Sequence, residues 1–409
     1  MSWIVCQLGA REHYAIPRAL HQTQQLQYLI TDAWVPPQSW FNRLPGLTSL
    51  CDRYHPDLAD AHVKSFTSPL LQFEALHRIK SFTPWETMIA RNQWFQQRVI
   101  QFLNSSSMQS NEQPVLFSYS YAALELFRYA KRQGWTTILG QIDPGIGEER
   151  IVAKEHRKYP TLAPEWETAP PNYWQQWRQE CELADVILVN SRWSKHLLEK
   201  ENIAPHKMSV IPLSYTLSAD AQSFQRTYPD CFTSHRPLRV LFLGLVTLRK
   251  GIASLLEAIQ MLDDLPVEFW IVGPQQIHVP SKLRTHPQIR WMGSVPRSQV
   301  DTYYQQSDIF LFPTLSDGFG LTQLEAMSWK LPVLASQNCG DVVKHNFNGR
   351  ILETVTGEAI ATEINRILKQ PEQLKVFAQH TYNAFDQFSS LTLQNHLNNL
   401  DINYQKLNV

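Results

Sequence analysis

The chain has 409 residues, 43% of them hydrophobic and 18% charged, a balance that fits a folded protein too long for one core and so divided into two domains. Lysine plus arginine equals aspartate plus glutamate, 37 each, for a formal net charge of zero; this excludes the basic field of a protein that lives on nucleic acid. The five cysteines (Cys6, Cys51, Cys181, Cys231 and Cys339) stand far apart without a C-x-x-C pair and read as reduced thiols of an intracellular protein.

In chain order, "WIVCQL" (3–8) predicts a first strand and not a signal peptide, because no basic region precedes it and polar residues follow at once. No run approaches the roughly 18 apolar residues of a membrane helix, so a soluble, cytoplasmic protein is expected, with contact at the cytoplasmic membrane face left open. Further strands are predicted at 114–119, 136–141 and 185–190, with helices at 122–134 and 172–184 between them. The stretch from about 36 to 113 breaks this alternation and reads as a helical insertion. Trp34, Trp40, Trp85 and Trp94 lie in it or beside it; core packing accounts for most such residues, and a sugar-stacking or membrane-resting surface for some. In the second half, strands are predicted at 238–244, 268–273, 289–293, 308–313 and 332–336.

Alternation of this kind implies parallel sheets covered on both faces. The predicted organisation is an N-terminal Rossmann-like domain over 1–212, a linker over 213–237, and a C-terminal Rossmann-like domain over 238–385. A C-terminal helix within 386–409 is expected to pack back on the first domain. Two doubly wound α/β domains then face each other across a cleft, and ligands of such sheets sit beyond the strands' carboxyl ends.

Two stretches there carry chemistry. "TLSDGFGLTQLEAMSWK" (314–330) turns from loop into helix after a strand, with Leu321, Leu324 and Met327 on one apolar face. Gly318 and Gly320 allow close backbone approach, and the N–H groups of Phe319, Gly320, Leu321 and Thr322 suit a diphosphate. Asp317 and Glu325 flank them, and carboxylates beside a phosphate make sense where they serve hydroxyls, as a sugar and a ribose would supply. In "LVTLRKGIASLLEAIQML" (245–262), Arg249 and Lys250 precede Gly251 at a helix start. Two cations there oppose the helix dipole, which fits either a bound anion or solvated side chains.

From about 185 to 370, "FLGLVTLRKGIASLLEA", "IVGP", "GSVPRSQVDTYYQQSDIFLFPTLSDGFGLTQLEAMSWKLPVLAS" and "NFNGRIL" follow one another in a pattern that resembles the retaining glycosyltransferases of family 4 (group 1). The resemblance implies the GT-B fold, two Rossmann-like domains facing across a cleft, with 1–212 the acceptor-side domain and 238–385 the nucleotide-sugar-binding one. It also implies transfer of a hexose from a nucleotide-diphosphate sugar, UDP- or GDP-linked, to an acceptor hydroxyl, with retention and with neither cofactor nor metal. The acceptor would be a carbohydrate, a lipid or another hydroxyl compound, in carbohydrate biosynthesis. By resemblance, Glu325 holds the donor ribose, Asp317 faces the transferred sugar, the amides of Gly318, Phe319, Gly320 and Leu321 meet the diphosphate and sugar, and Gly9 joins the donor-binding set. Arg249 and Lys250 neutralise the leaving diphosphate.

This sequence departs from the family where Asp317 replaces the usual glutamate, Leu245 a common arginine, and Ala10 a second glycine. "LGQIDPGIGEER" also lacks the usual histidine and offers Gln141 and Asp143. Asp143 reads either as a turn former before Pro144-Gly145 or as a group orienting the acceptor hydroxyl or donor sugar. Arg11 and His13 read equally as acceptor or phosphate contacts and as surface residues. Asn190-Ser191 reads as a helix cap. These departures leave open a sugar-nucleotide-binding protein with lost or regulatory-only activity. A pyridoxal-dependent enzyme on the same fold finds no suitably placed lysine.

Overall fold

The computed structural model describes residues 1–39, 50, 52–79, 82–105 and 113–400; Trp40 and Cys51 lie outside them. Its first sheet holds β1 (Trp3–Gln7), β2 (Leu26–Thr31), β3 (Val63–Ser65), β4 (Val115–Tyr119), β5 (Thr136–Gln141), β6 (Val186–Val189) and β7 (Met208–Val210). They run in the order β3-β2-β1-β4-β5-β6-β7, with every pairing parallel. The second sheet holds β8 (Leu238–Leu243), β9 (Val267–Val272), β10 (Ile289–Gly293), β11 (Ile309–Phe312), β12 (Val333–Ser336) and β13 (Gly349–Leu352). Its order, β10-β9-β8-β11-β12-β13, is again wholly parallel.

Helices cover both faces of each sheet, so most of the central strands are buried along their whole length and do not alternate between apolar and polar faces. Every residue of β1, β4, β5, β6, β11 and β12 is buried, as a doubly covered parallel sheet requires. In each sheet the strand order reverses once, between β1 and β4 and between β8 and β11. Loops that leave adjacent strands in opposite directions open a crevice at these points, and the candidate site residues lie beside them.

Two segments differ from the sequence reading. The insertion carries the helices Thr67–Ile79 and Pro84–Ser105 and also β3, which pairs with β2 at the sheet edge. Linker residues Leu213, Tyr215 and Leu217 pack on the core of the second domain, and Arg226 there donates to the carbonyls of Tyr304 and Trp329. At the far end, the helix Ser390–Asn398 returns to the first domain. Leu393 and Leu397 join the cluster of Ile16, Ala19 and Leu20, and Gln25 Nε2 donates to Asn398 Oδ1 at 2.7 Å. Among the described residues no helix is long and apolar enough to cross a membrane.

Candidate functional site

Gly244 follows β8, and the chain turns through Leu248–Lys250 into the helix Ile252–Met261. The Thr247 hydroxyl accepts from the Lys250 N–H at 3.3 Å. Gly251 closes the turn with φ +78°, and a Cβ there would stand 1.8 Å from the Pro313 carbonyl oxygen, so only glycine fits. This turn aims Arg249 and Lys250 at the loop after β11. Lys250 Nζ pairs with Asp317 Oδ2 and lies 4.9 Å from the centre of the Phe312 ring. Arg249 Nη1 is 3.7 Å from the same oxygen and donates to the Ser316 carbonyl at 3.3 Å. Burial alone would raise the Asp317 pKa, but Lys250 and Arg249 outweigh it and hold the carboxyl below its usual value. Asp317 is therefore an ionised group clamped by two cations.

The 317–321 loop fits its surroundings closely. The Phe319 side chain is buried against Phe388, ring centres 5.7 Å apart, so it belongs to the core, and its N–H lies 3.4 Å from Asp317 Oδ1. Gly320 has φ +81°, with the Phe312 ring 2.5 Å from where a Cβ would stand. The helix Thr322–Ser328 follows, with Leu324 and Met327 fully buried beneath it. Among the described residues the N–H groups of Gly320 and Leu321 make no hydrogen bond. Glu325 Oε2 accepts from the Tyr304 hydroxyl at 2.9 Å, and Oε1 lies 3.6 Å from Arg297 Nη2. Tyr304, wholly buried, fixes the glutamate's orientation; sequence reasoning passed over it because one tyrosine in a polar helix carries no signal.

The first domain meets this loop directly. Trp193 Nε1 donates to Ser316 Oγ at 3.0 Å, and Ser194 Oγ to the Gly318 carbonyl at 3.4 Å. Ser191 caps its helix by accepting from the Ser194 N–H at 3.0 Å. Asn190 Nδ2 donates to the Ile142 carbonyl at 3.0 Å. Asp143 Oδ1 accepts from the Gly145 N–H at 2.9 Å, the turn-forming contact, and also from the Tyr121 hydroxyl at 2.5 Å. Burial raises the Asp143 pKa against these bonds and against the nearby Arg249 and Arg11.

Sequence reasoning missed Glu148, in the first turn of the helix Ile146–Lys158. Its Oε1 lies 3.5 Å from Arg249 Nη1 across the domain boundary. Burial, opposed by Arg249 and assisted by Asp143 and Asp317, lifts its pKa to about 8. The only signal was its place in "GIGEER", just after the Asp143 turn.

Gly9 sits on the opposite wall, in the first domain. Its N–H donates to Asp32 Oδ1 at 2.8 Å, and with φ +75° a Cβ there would stand 2.7 Å from Arg53 Nη1. It lines a cavity of about 440 Å³ that also includes Arg11, Tyr121 and Asp143. The loop after β1 reaches the cleft through three successive left-handed residues, Glu12, His13 and Tyr14, with φ of 54°, 50° and 59°. Such residues cost of order 1 kcal/mol each. The turn brings His13 Nε2 to 3.4 Å from Arg297 Nη2 of the second domain. The structure thus brings Asp317, Arg249 and Lys250 into contact, with Asp143 facing Arg249 from the other domain. Glu325 is held separately by Tyr304, and Gly9 lines the first-domain wall.

Residues 232–384 match the family model described as Glycosyl transferases group 1. Among curated proteins, the chain is 24% identical over 198 residues to the amylovoran biosynthesis glycosyltransferase AmsK of Erwinia amylovora, covering 45% of this chain and 47% of that one. It is 24% identical over 212 residues to the processive diacylglycerol alpha-glucosyltransferase of Acholeplasma laidlawii, covering 46% and 63%. The matched stretch thus spans about half to three-fifths of these relatives' length. Among solved structures, sucrose-phosphate synthase from Thermosynechococcus elongatus superposes with TM-score 0.68 at 16% identity, covering 100% of this chain and 99% of that one. HepE of Anabaena, in complex with UDP and glucose, superposes with TM-score 0.61 at 13% identity, covering 97% and 98%. The fold is GT-B, and the sequence matches support a group 1 glycosyltransferase.

Proposed function

We propose that the protein transfers a hexose from a nucleotide-diphosphate sugar to an acceptor hydroxyl, with retention at the anomeric carbon and without a metal. The observation that carries this reading is the convergence of Arg249 and Lys250 on Asp317 at the mouth of the helix bearing Glu325. Glu325, oriented by Tyr304, holds the ribose hydroxyls. The N–H groups of Gly320 and Leu321 face the diphosphate, and Arg249 and Lys250 offset its growing charge as the sugar departs. That role is the one a metal ion would otherwise fill.

Asp317 accepts from the hexose hydroxyls, and Asp143, one wall away, orients the acceptor. The leaving phosphate takes the acceptor's proton, so no separate acid/base pair is required. A UDP-linked donor is favoured by the HepE structure, whose description names UDP and glucose. A cytoplasmic location, with rest at the membrane where the acceptor is a lipid, belongs to the same reading.

Calorimetric titration with UDP-, GDP- and ADP-glucose, followed by product analysis of whichever binds, tests the proposal; absence of binding by all three overturns it. The clamp of both cations on Asp317 favours one further reading, a sugar-nucleotide-binding protein without turnover. Tight binding with neither transfer nor hydrolysis would select it.

A further inference from the structure

The first-domain cavity of about 440 Å³ opens where the strand order reverses between β1 and β4, lined by residues that follow each strand. Its charged lining is unbalanced: Arg11, Arg53 and Arg91 against Asp143 alone. Two of the guanidinium groups are fixed from behind by Asp32, which is wholly buried. Arg53 Nη1 lies 3.2 Å from its Oδ1 and Arg91 Nη2 2.8 Å from its Oδ2. Glu74, 3.5 Å from Arg91 Nη1, also stands outside the lining. Arg11 has no carboxylate within ion-pair distance among the described residues, and its guanidinium lies 5.3 Å from the Tyr119 ring centre.

Two further features describe the rest of a ligand. Gln7 is 1% exposed; its Nε2 donates to the Gly9 carbonyl at 2.9 Å, while its Oε1 is buried without a partner among the described residues. A buried carbonyl oxygen in that state is costly unless a donor reaches it, and a hydroxyl is such a donor. On another wall, Tyr121 stacks on Tyr173 at 4.8 Å and Trp85 meets Tyr173 edge-on at 5.2 Å, giving flat apolar surface near Asp143.

We propose that this cavity is the acceptor site and that the acceptor carries an anionic group, phosphate or carboxylate, beside its hydroxyls, as a sugar phosphate or a uronic acid does. The inference rests on the transfer reading above and names its acceptor class. A neutral sugar would leave the three guanidinium groups of the lining, Arg11 among them exposed and without an ion pair, opposed there by Asp143 alone. A guanidinium fork grips a phosphate or carboxylate through two parallel hydrogen bonds. The donor's diphosphate has its own cations, Arg249 and Lys250, on the other domain.

The test is calorimetry on the full chain, with saturating UDP present, titrating glucose, glucose 6-phosphate, glucuronate and inorganic phosphate. Vesicles of phosphatidylcholine with and without phosphatidic acid form a separate arm. Glucose 6-phosphate or glucuronate should bind at least tenfold more tightly than glucose. Arg11→Gln should weaken that binding roughly 10- to 100-fold, as the loss of a charge-assisted contact predicts, while leaving UDP affinity within about twofold. Arg11 makes no ion pair to lose, so this variant tests the site without disturbing the Asp32 cluster. Binding confined to phosphatidic acid vesicles and weakened by Arg11→Gln would assign the phosphate to a lipid headgroup. Equal binding of glucose and its phosphate, or no effect of Arg11→Gln on any probe, overturns the proposal. Failure of UDP-, GDP- and ADP-glucose alike to bind would instead sink the transfer reading, with the anion titration still read on its own.

Discussion

Arg249 Nη1 of the second domain lies 3.5 Å from Glu148 Oε1 of the first, a half-buried contact that spans the cleft and ties domain pairing to the ionisation of one carboxyl. Burial and the neighbouring Asp143 and Asp317 raise the Glu148 pKa to about 8 from 4.5, with Arg249 opposing. Between these two values the folded protein keeps a proton that the unfolded chain has released. Stability therefore falls as pH rises from about 4.5 to 8. Glu148→Gln, which mimics the protonated form, should flatten this fall: equal to wild type near pH 5 and more stable near pH 8 in thermal denaturation. A variant that loses stability equally at both pH values would show that Glu148 is not protonated in the folded state.

Glu325 and Tyr304 form the next pair to test. If the glutamate holds ribose hydroxyls, Glu325→Ala removes a charge-assisted contact and should weaken nucleotide binding by about 1.5 to 3 kcal/mol. Tyr304→Phe deletes only the 2.9 Å bond that orients it and should cost less, about 0.5 to 1.5 kcal/mol. Titration of UDP into each variant reads both. Unchanged affinity in Glu325→Ala would remove the ribose role.

Much of this architecture was legible because both halves alternate strand and helix, and the unbroken apolar runs at β6 and β11 leave little choice of fold. β2 was missed because its first half is only half-buried and so carries the polar Gln27. β3 was missed because three residues make too short a period. At the site, the loop glycines and the acidic pair were readable from local spacing. That Lys250 pairs with Asp317, that Phe319 turns into the core, and that Glu148 meets Arg249 were not, because each contact joins residues far apart in sequence. The Asp32–Arg53–Arg91 cluster escaped for the same reason, with its members spread through the irregular first-domain segment.

A related long-range feature is Glu180, 1% exposed, whose carboxylate accepts from the N–H groups of Tyr121, Ala123 and Leu124 at 2.7, 2.9 and 3.1 Å. It satisfies the start of the helix Leu124–Arg132 and positions Tyr121, the donor to Asp143. Glu180→Ala would strand three N–H groups and should destabilise the fold by about 3 to 5 kcal/mol, read as a lower midpoint in urea. Glu180→Gln, which keeps an acceptor, should lose clearly less; equal losses would argue that the carboxyl's charge is essential.

Lys250 touches both the stability and the chemistry of the cleft. Its loss in Lys250→Ala leaves Asp317 with Arg249 alone at 3.7 Å, so the carboxyl pKa should rise. Turnover should fall at least tenfold, because charge on the leaving diphosphate is less well offset, while nucleotide affinity changes less. Steady-state kinetics beside UDP titration separates the two. Equal loss in kcat and in binding would argue against a role at the leaving group.

Gly318 tests whether the domains must meet as closely as they do. A Cβ at this position would stand 2.3 Å from the Ile142 carbonyl oxygen and 2.8 Å from Asn190 Nδ2, both in the first domain. The nearer obstacle is backbone, which cannot swing aside as a side chain could. Gly318→Ala should therefore push the 317–321 loop away from the first domain, with loss of the 3.0 Å Trp193–Ser316 hydrogen bond. The expected signature is a larger radius of gyration in small-angle scattering and a large drop in transfer rate. UDP binding should be largely retained, since its proposed contacts lie within the second domain. A variant that scatters and turns over like wild type would mean that the loop relaxes within its own domain and that close apposition at Gly318 is not required for transfer.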